Sequence, residues 1–259
     1  MGYVFNYKDA VAYEKWFNSQ NNKAASILEN SLILEMLKPM HGRTLLDIGC
    51  GTGYRLSPFL EKGLEITGID PSIYMLDIAR EKYKNKITFH RGAGESLPFD
   101  DNSFHYASLV TTLEYVEDPL KVIEESCRVA KDKVFIGIYN SYSIKCLERR
   151  IRAMFIESIY SHAKYYSIWN IINIVKKVIG DVPLGWGTIC RLPQWLNKVV
   201  PTNIESVIVR RFPFGSFAGI IITPVPRFST SPLALTYNTR PVAMPNIQPI
   251  KSSDKGGSI

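Results

Sequence analysis

The run Leu45-Leu46-Asp47-Ile48-Gly49-Cys50-Gly51-Thr52-Gly53-Tyr54 couples a short apolar strand to an acid and three closely spaced glycines. Leu45, Leu46 and Ile48 read as core residues of that strand. Gly49, Gly51 and Gly53 let the backbone turn tightly and approach a ligand with no Cβ in the way. Spacing narrows the choice of ligand. A GxGxxG dinucleotide fingerprint counted from Gly49 needs glycine where Tyr54 stands, and counted from Gly51 it needs glycine where Leu56 stands. A phosphate-binding P-loop needs Gly-Lys-Ser/Thr where the chain offers Tyr54 and Arg55. What remains is Asp47-x-Gly49-x-Gly51-x-Gly53, followed by a second strand, Glu65 to Ile69, that ends in Asp70. A carboxylate at such a strand tip is placed to accept both hydroxyls of a ribose.

Outward from this loop the chain alternates strand and helix. The pattern predicts strand Thr44 to Ile48, helix Gly53 to Lys62, strand Glu65 to Ile69, helix Ser72 to Tyr83 and strand Ile87 to His90. Strand Phe104 to Val110, helix Pro119 to Ala130 and strand Lys133 to Tyr139 follow. Alternation of this kind implies an α/β domain with a parallel sheet covered on both faces and ligands at the carboxyl ends of its strands. Two helices, Tyr7 to Asn18 and Lys23 to Leu37, precede the sheet, and Pro39 stops the second. Strands Ile204 to Phe212 and Ser216 to Thr223 read as a closing hairpin around Pro213 and Gly215.

Four further stretches now join the glycine loop: Asp70, Glu95-Ser96-Leu97-Pro98-Phe99, Asn102-Ser103-Phe104, and Leu113-Glu114-Tyr115-Val116-Glu117-Asp118-Pro119. Together they resemble the class I S-adenosylmethionine-dependent methyltransferases, in the small-molecule subgroup that includes quinone-type enzymes. The resemblance is firm over residues 40 to 140. It implies a Rossmann-like, doubly wound, mostly parallel seven-stranded sheet with an antiparallel last strand, N-terminal helices and a helical cap. It also implies S-adenosylmethionine as cofactor. Asp47, Gly49, Gly51 and Gly53 would then frame its methionine part, Asp70 the ribose, and Pro71 and Met75, with Ile69, an apolar slot for adenine. Where the family commonly reads GDAExLPF, this chain reads Gly92-Ala93-Gly94-Glu95-Ser96-Leu97-Pro98-Phe99. Ala93 replaces the family's Asp, which leaves the Gly94 amide to serve adenine and predicts a looser hold on it, with Glu95 following. Thr111 would contact the methionine portion. Tyr13 and Trp16 match an aromatic signature that folds over the cofactor, where a ring face attracts the sulfonium. Tyr115, Tyr139 and Tyr142 are the candidate catalytic side chains, placed to orient an acceptor or take its proton.

The 259 residues divide into N-terminal helices (1–40), a cofactor-binding core (41–140), a helical substrate cap (141–200), the closing hairpin (201–223) and a Pro-rich extended tail (224–259). Four cysteines without a CxxC pair and four histidines without HExxH spacing point to no metal and no disulfide framework. No charged and apolar leader opens the chain, and no run approaches the roughly 18 to 20 apolar residues that span a bilayer, so the expected compartment is cytoplasmic. Net charge is +7, unevenly spread: residues 1–140 hold 16 Lys and Arg against 19 Asp and Glu, and the remainder 15 against 5. A basic second half suits an anionic membrane face, nucleic acid or an acidic substrate, or is a solvated surface. The expected partner is a small-molecule acceptor, with peripheral membrane contact through the basic, aromatic segment 149–179 and oligomerisation through the tail. RNA methylation is a second reading, but the family's Asn/Asp-Pro-Pro-Tyr/Phe motif for base amines is absent: Thr111-Thr112-Leu113-Glu114 stands there. A non-catalytic cofactor-binding scaffold is the third.

Overall fold

The structure is a computed structural model and describes residues 2–153, 162–190 and 212–225. Its centre is a seven-stranded sheet in the order β3-β2-β1-β4-β5-β7-β6. Strands β1 (Thr44–Ile48), β2 (Glu65–Asp70), β3 (Thr88–Arg91), β4 (Phe104–Val110) and β5 (Ala130–Tyr139) are mutually parallel. Strand β7 (Phe217–Ile222) runs antiparallel between β5 and β6 (Leu184–Ile189), which leaves β6 aligned with the parallel set.

Period-two alternation sends consecutive side chains to opposite faces. Leu46, Ile48, Leu109, Ile136 and Ile138 pack on one side under α5 (Pro119–Val129) and α7 (Ile168–Ile179). Leu45, Ile66, Tyr106, Phe135 and Phe217 pack on the other, against α2 (Gln20–Leu37) and α3 (Ser57–Glu61). The remaining helices are α1 (Tyr7–Asn18), α4 (Ile73–Tyr83) and α6 (Ile144–Ala153). Their starts are written in capping residues. Asn6 and Asp9 form a reciprocal capping box on α1, Ser72 accepts from the Met75 amide on α4, and Asp118 accepts from Leu120 and Lys121 on α5. Ser167 and Asn170 cap α7 reciprocally. Each such cap is worth about 1 kcal/mol.

Two expectations change. The helix expected over residues 53–62 is five residues long, because Gly51 and Gly53 both hold positive φ and keep the chain turning until Ser57. The second change concerns the segment expected as a helical cap, which contains β6 as well as α6 and α7. The glycines of Leu184-Gly185-Trp186-Gly187 hide that strand from a periodicity reading. Gly187 is there for close approach: a Cβ on it would meet Leu32 and Met36 of α2 at 3.3 and 3.4 Å. The partner strand expected from Ile204 lies outside the described residues up to residue 211, and Phe212 belongs to a turn. The tail lies outside them from residue 226.

Candidate active site

The carboxyl ends of β1, β2 and β4 open into a cavity of about 360 Å³, within the size range of ligand sites. Its floor is the glycine loop. The amides of Gly49 and Cys50 both donate to the Ile69 carbonyl, which folds the loop back onto β2. Gly49 sits at φ +72°, and a Cβ there would strike the Thr112 side chain at 2.4 Å. Gly51, at φ +53°, faces open space, with Met75 and Tyr13 each 4.0 Å from where a Cβ would sit. Asp70 closes the tip of β2: one oxygen accepts from the Gly51 amide and the other from the Ser72 amide, each at 2.9 Å. Burial pushes its carboxyl up to about 6 against the pull of those two N–H groups.

The side wall is Ala93, Gly94 and Glu95 after β3, and Val110, Thr111 and Thr112 after β4. Thr111 holds φ +56°, and the Thr112 hydroxyl donates to the Ile48 carbonyl at 2.8 Å, tying the ends of β4 and β1 together. Glu95 accepts from the Glu117 amide at 3.1 Å. Beyond it, the Leu97 amide donates to Glu125, and Arg128 donates to the Leu97 and Phe99 carbonyls. An ion pair on α5 therefore holds the Glu95–Phe99 stretch in shape.

The roof comes from three distant pieces of chain, residues 2–5, 115–117 and 162–164. Residues Gly2 to Phe5 lie along the cavity: the Tyr3 amide donates to the Tyr115 carbonyl at 2.8 Å, and the Ser72 hydroxyl donates to the Phe5 carbonyl at 2.6 Å. The Tyr3 ring stacks on His162 at 4.1 Å, and Phe5 meets Tyr115 edge-on at 4.9 Å. Lys164 follows, its amide on the Glu114 carbonyl and its ammonium on the Val116 carbonyl.

Known proteins resemble this chain in sequence and in fold. The model of a family described as Methyltransferase domain matches residues 46–137. An uncharacterized protein of Methanocaldococcus jannaschii is 33% identical over 66% of this chain and 78% of its own length. A demethylmenaquinone methyltransferase of Renibacterium salmoninarum is 32% identical over 39% of this chain. That match takes in 42% of the enzyme, so the chain spans under half of this named relative. A solved SAM-dependent methyltransferase of Thermotoga maritima shares the fold at TM-score 0.66 and 23% identity, over 84% of this chain and 96% of its own. The chain belongs to the class I S-adenosylmethionine-dependent methyltransferases.

The cavity residues of this methyltransferase fit that cofactor. A glycine floor leaves room for a ligand, and the Asp70 oxygens keep lone pairs beyond their two amide partners for ribose hydroxyls. Of the residues expected to hold the cofactor, Gly49, Gly51, Asp70, Pro71, Met75, Ala93, Gly94, Glu95, Thr111 and Tyr13 line the cavity. Asp47, Gly53 and Trp16 do not. Asp47 lies behind the loop, buried, accepting from the Ser108 hydroxyl, and burial raises it to about 7. Gly53 makes space for Tyr83, whose ring would lie 2.7 Å from a Cβ and whose hydroxyl donates to the Gly53 carbonyl. Trp16 packs edge-on against Phe17 at 4.7 Å.

Of the three candidate catalytic tyrosines, only Tyr115 reaches the cavity. Burial and the neighbouring Glu114 carboxyl push its phenol well above the usual range, which keeps the hydroxyl protonated. Tyr139 points to the opposite face of β5, its ring beneath the Arg149 guanidinium at 3.9 Å and beside Phe217. Tyr142 follows the turn at Asn140 into solvent and is 55% exposed. Missing from the sequence reading is the whole Gly2–Phe5 strip. Its signal was the alternation of Tyr3 and Phe5 ahead of the capping Asn6.

Proposed function

We propose that this methyltransferase transfers a methyl group to a small, lipophilic or aromatic metabolite. The observation that carries the reading is the composition of the cavity wall beyond the glycine floor: Tyr3, Val4, Phe5, Tyr13, Tyr115 and Val116. Aromatic and branched side chains give an apolar ring a surface to lie on, with few polar groups to fix its orientation. The relative from Renibacterium salmoninarum, named for a quinone, supports such an acceptor.

When bound, S-adenosylmethionine supplies a methyl group on a positively charged sulfur. The protein's part is to hold and align. Asp70 would accept the ribose hydroxyls, the Gly51 and Gly94 backbone would approach the nucleoside, and Met75 and Pro71 would cover its apolar surface. Tyr13 and Tyr115 present ring faces that favour a cation. The roof strip excludes water, and Tyr115 keeps its proton to donate a hydrogen bond to an acceptor oxygen. Alignment of this kind is the main source of rate in a reaction whose leaving group departs neutral.

Calorimetric titration with S-adenosylmethionine and S-adenosylhomocysteine, followed by turnover on a panel of lipophilic phenols and quinols, tests the reading. Wild type is expected to bind both ligands at micromolar concentration, and Asp70→Ala to lose about 100-fold in affinity through two hydrogen bonds to a charged group. Cofactor binding without methylation of any apolar acceptor would sink the acceptor assignment. Absence of cofactor binding in wild type would sink the enzyme reading and favour a scaffold.

A further inference from the structure

The basic segment after residue 140 contains two amphipathic helices that meet different fates. On α7, Ile168, Ile171 and Val175 are buried against the core beside α5, so its apolar side is already occupied. Helix α6 buries Cys146 and turns Arg149 inward over Tyr139. Its other side carries Ile144, Leu147 and Ile151, spaced for one stripe and 57%, 56% and 50% exposed. Tyr142 stands just ahead of the helix, also exposed.

A second exposed apolar pair is tied to the same place. The Asn140 side-chain amide donates to the Pro213 carbonyl at 2.6 Å and to the Gly215 carbonyl at 3.0 Å, and its oxygen accepts from the Tyr142 amide at 3.3 Å. That residue thus fastens the turn bearing Phe212 and Phe214 to the approach of α6. The two rings lie 5.4 Å apart, 41% and 53% exposed. Asn140 follows the last residue of β5, so the patch sits at the carboxyl end of the sheet, the end that bears the cavity. Charge accompanies it. Helix α6 holds Lys145 and Arg150, with Arg149 turned inward, against Glu148.

We propose that the face formed by Tyr142, Ile144, Leu147, Ile151, Phe212 and Phe214 docks on an anionic lipid surface. Exposed apolar patches with aromatic members and a basic flank are the pattern of an interfacial, non-spanning contact. Among the described residues no helix is long and apolar enough to cross a membrane, so the contact is peripheral. Docking there moves the membrane contact from the 149–179 segment expected from sequence to α6 and the 212–214 turn.

Flotation of the full chain with vesicles of phosphatidylglycerol and phosphatidylcholine, against phosphatidylcholine alone, reads the proposal without any turnover. It therefore stands or falls separately from the acceptor. Wild type is expected to float with the anionic vesicles and to be released by salt. Leu147→Ser and Phe214→Ser should each lower the bound fraction about fivefold, and Arg150→Glu about threefold. Unchanged cofactor affinity in all three variants establishes that they fold. Wild type failing to float, or the variants floating as well as wild type, overturns the proposal. So does a wild-type dimer that the same substitutions make monomeric without any vesicle binding, which would assign the face to a second copy of the chain.

Discussion

Floor and roof of the cavity are built by opposite means. The floor is a run of consecutive residues whose backbone has little freedom: positive φ at Gly49, Gly51 and Gly53, and amides donated to Ile69 and Asp70. The roof is assembled from residues 2–5, 115–117 and 162–164, held by a few backbone hydrogen bonds and ring contacts. Local constraint concentrates the cost of a substitution; distributed contact spreads it. A floor of this kind serves an invariant ligand part, and a roof of this kind can be retuned for different acceptors.

The largest expected effect is on the floor. Gly49→Ala places a Cβ against Thr112 in a left-handed backbone, and should lower stability by roughly 2 to 4 kcal/mol and abolish cofactor binding. Urea unfolding and calorimetry measure both, and a variant that binds like wild type would show the floor to be as tolerant as the roof.

Next comes the joint between the two. Glu114 accepts from the Tyr139 amide with one oxygen, and its own carbonyl accepts from Lys164. Its second carboxyl oxygen is buried with no hydrogen-bond partner among the described residues. Burial raises this carboxyl from 4.5 to about 7. The unfolded chain releases that proton near 4.5, so between there and 7 the folded chain holds the extra proton and stability falls as pH rises. Glu114→Gln keeps an acceptor for the Tyr139 amide and removes this contribution, flattening the unfolding free energy from urea titration between pH 5 and 8 by up to roughly 3 kcal/mol. Asp47 and Asp70 carry the same sign and keep part of the slope. Equal slopes in wild type and variant would mean that Glu114 is not the titrating joint.

The roof should give the smallest change. Tyr3→Ala removes the stack on His162 and the edge contact with Phe5. Aromatic pairs are worth about 0.5 to 1.5 kcal/mol, so KM for the acceptor is expected to rise about threefold to tenfold while cofactor affinity moves less. Steady-state kinetics on the acceptor found by the panel decides it, and a larger loss in cofactor affinity than in KM would place Tyr3 on the floor's side of the comparison.

The same contrast explains what could be read from the sequence. Strand–helix alternation, the glycine loop and Asp70 are local patterns, and β1, β4 and α1 lie where that reading put them. Residues Ala93 to Glu95 and Thr111 were legible because they follow strands directly. Tyr139 was misplaced because a strand-end tyrosine faces either side with one residue of register. The alternation of Tyr3 and Phe5 marks a strip, but its partners Tyr115 and His162 lie more than 100 residues away in the chain, and spacing names no partner at that distance. Strand β6 was hidden by glycines whose purpose, close passage of α2, exists only in the folded molecule.

The order in which the ribosome delivers this sheet follows from the position of β7. Strand β6 is made before β7, yet among the described residues its one neighbour in the sheet is β7, which is wedged between it and β5. A nascent chain that has reached Ile189 therefore carries six like-directed strands, of which five can be zipped together while the sixth waits. During that interval β5 offers an unpaired edge, the kind of template on which chains adhere to one another. Phe217–Ile222 is the keystone of that arrangement: its six residues cover the β5 edge on one side and pair with β6 on the other.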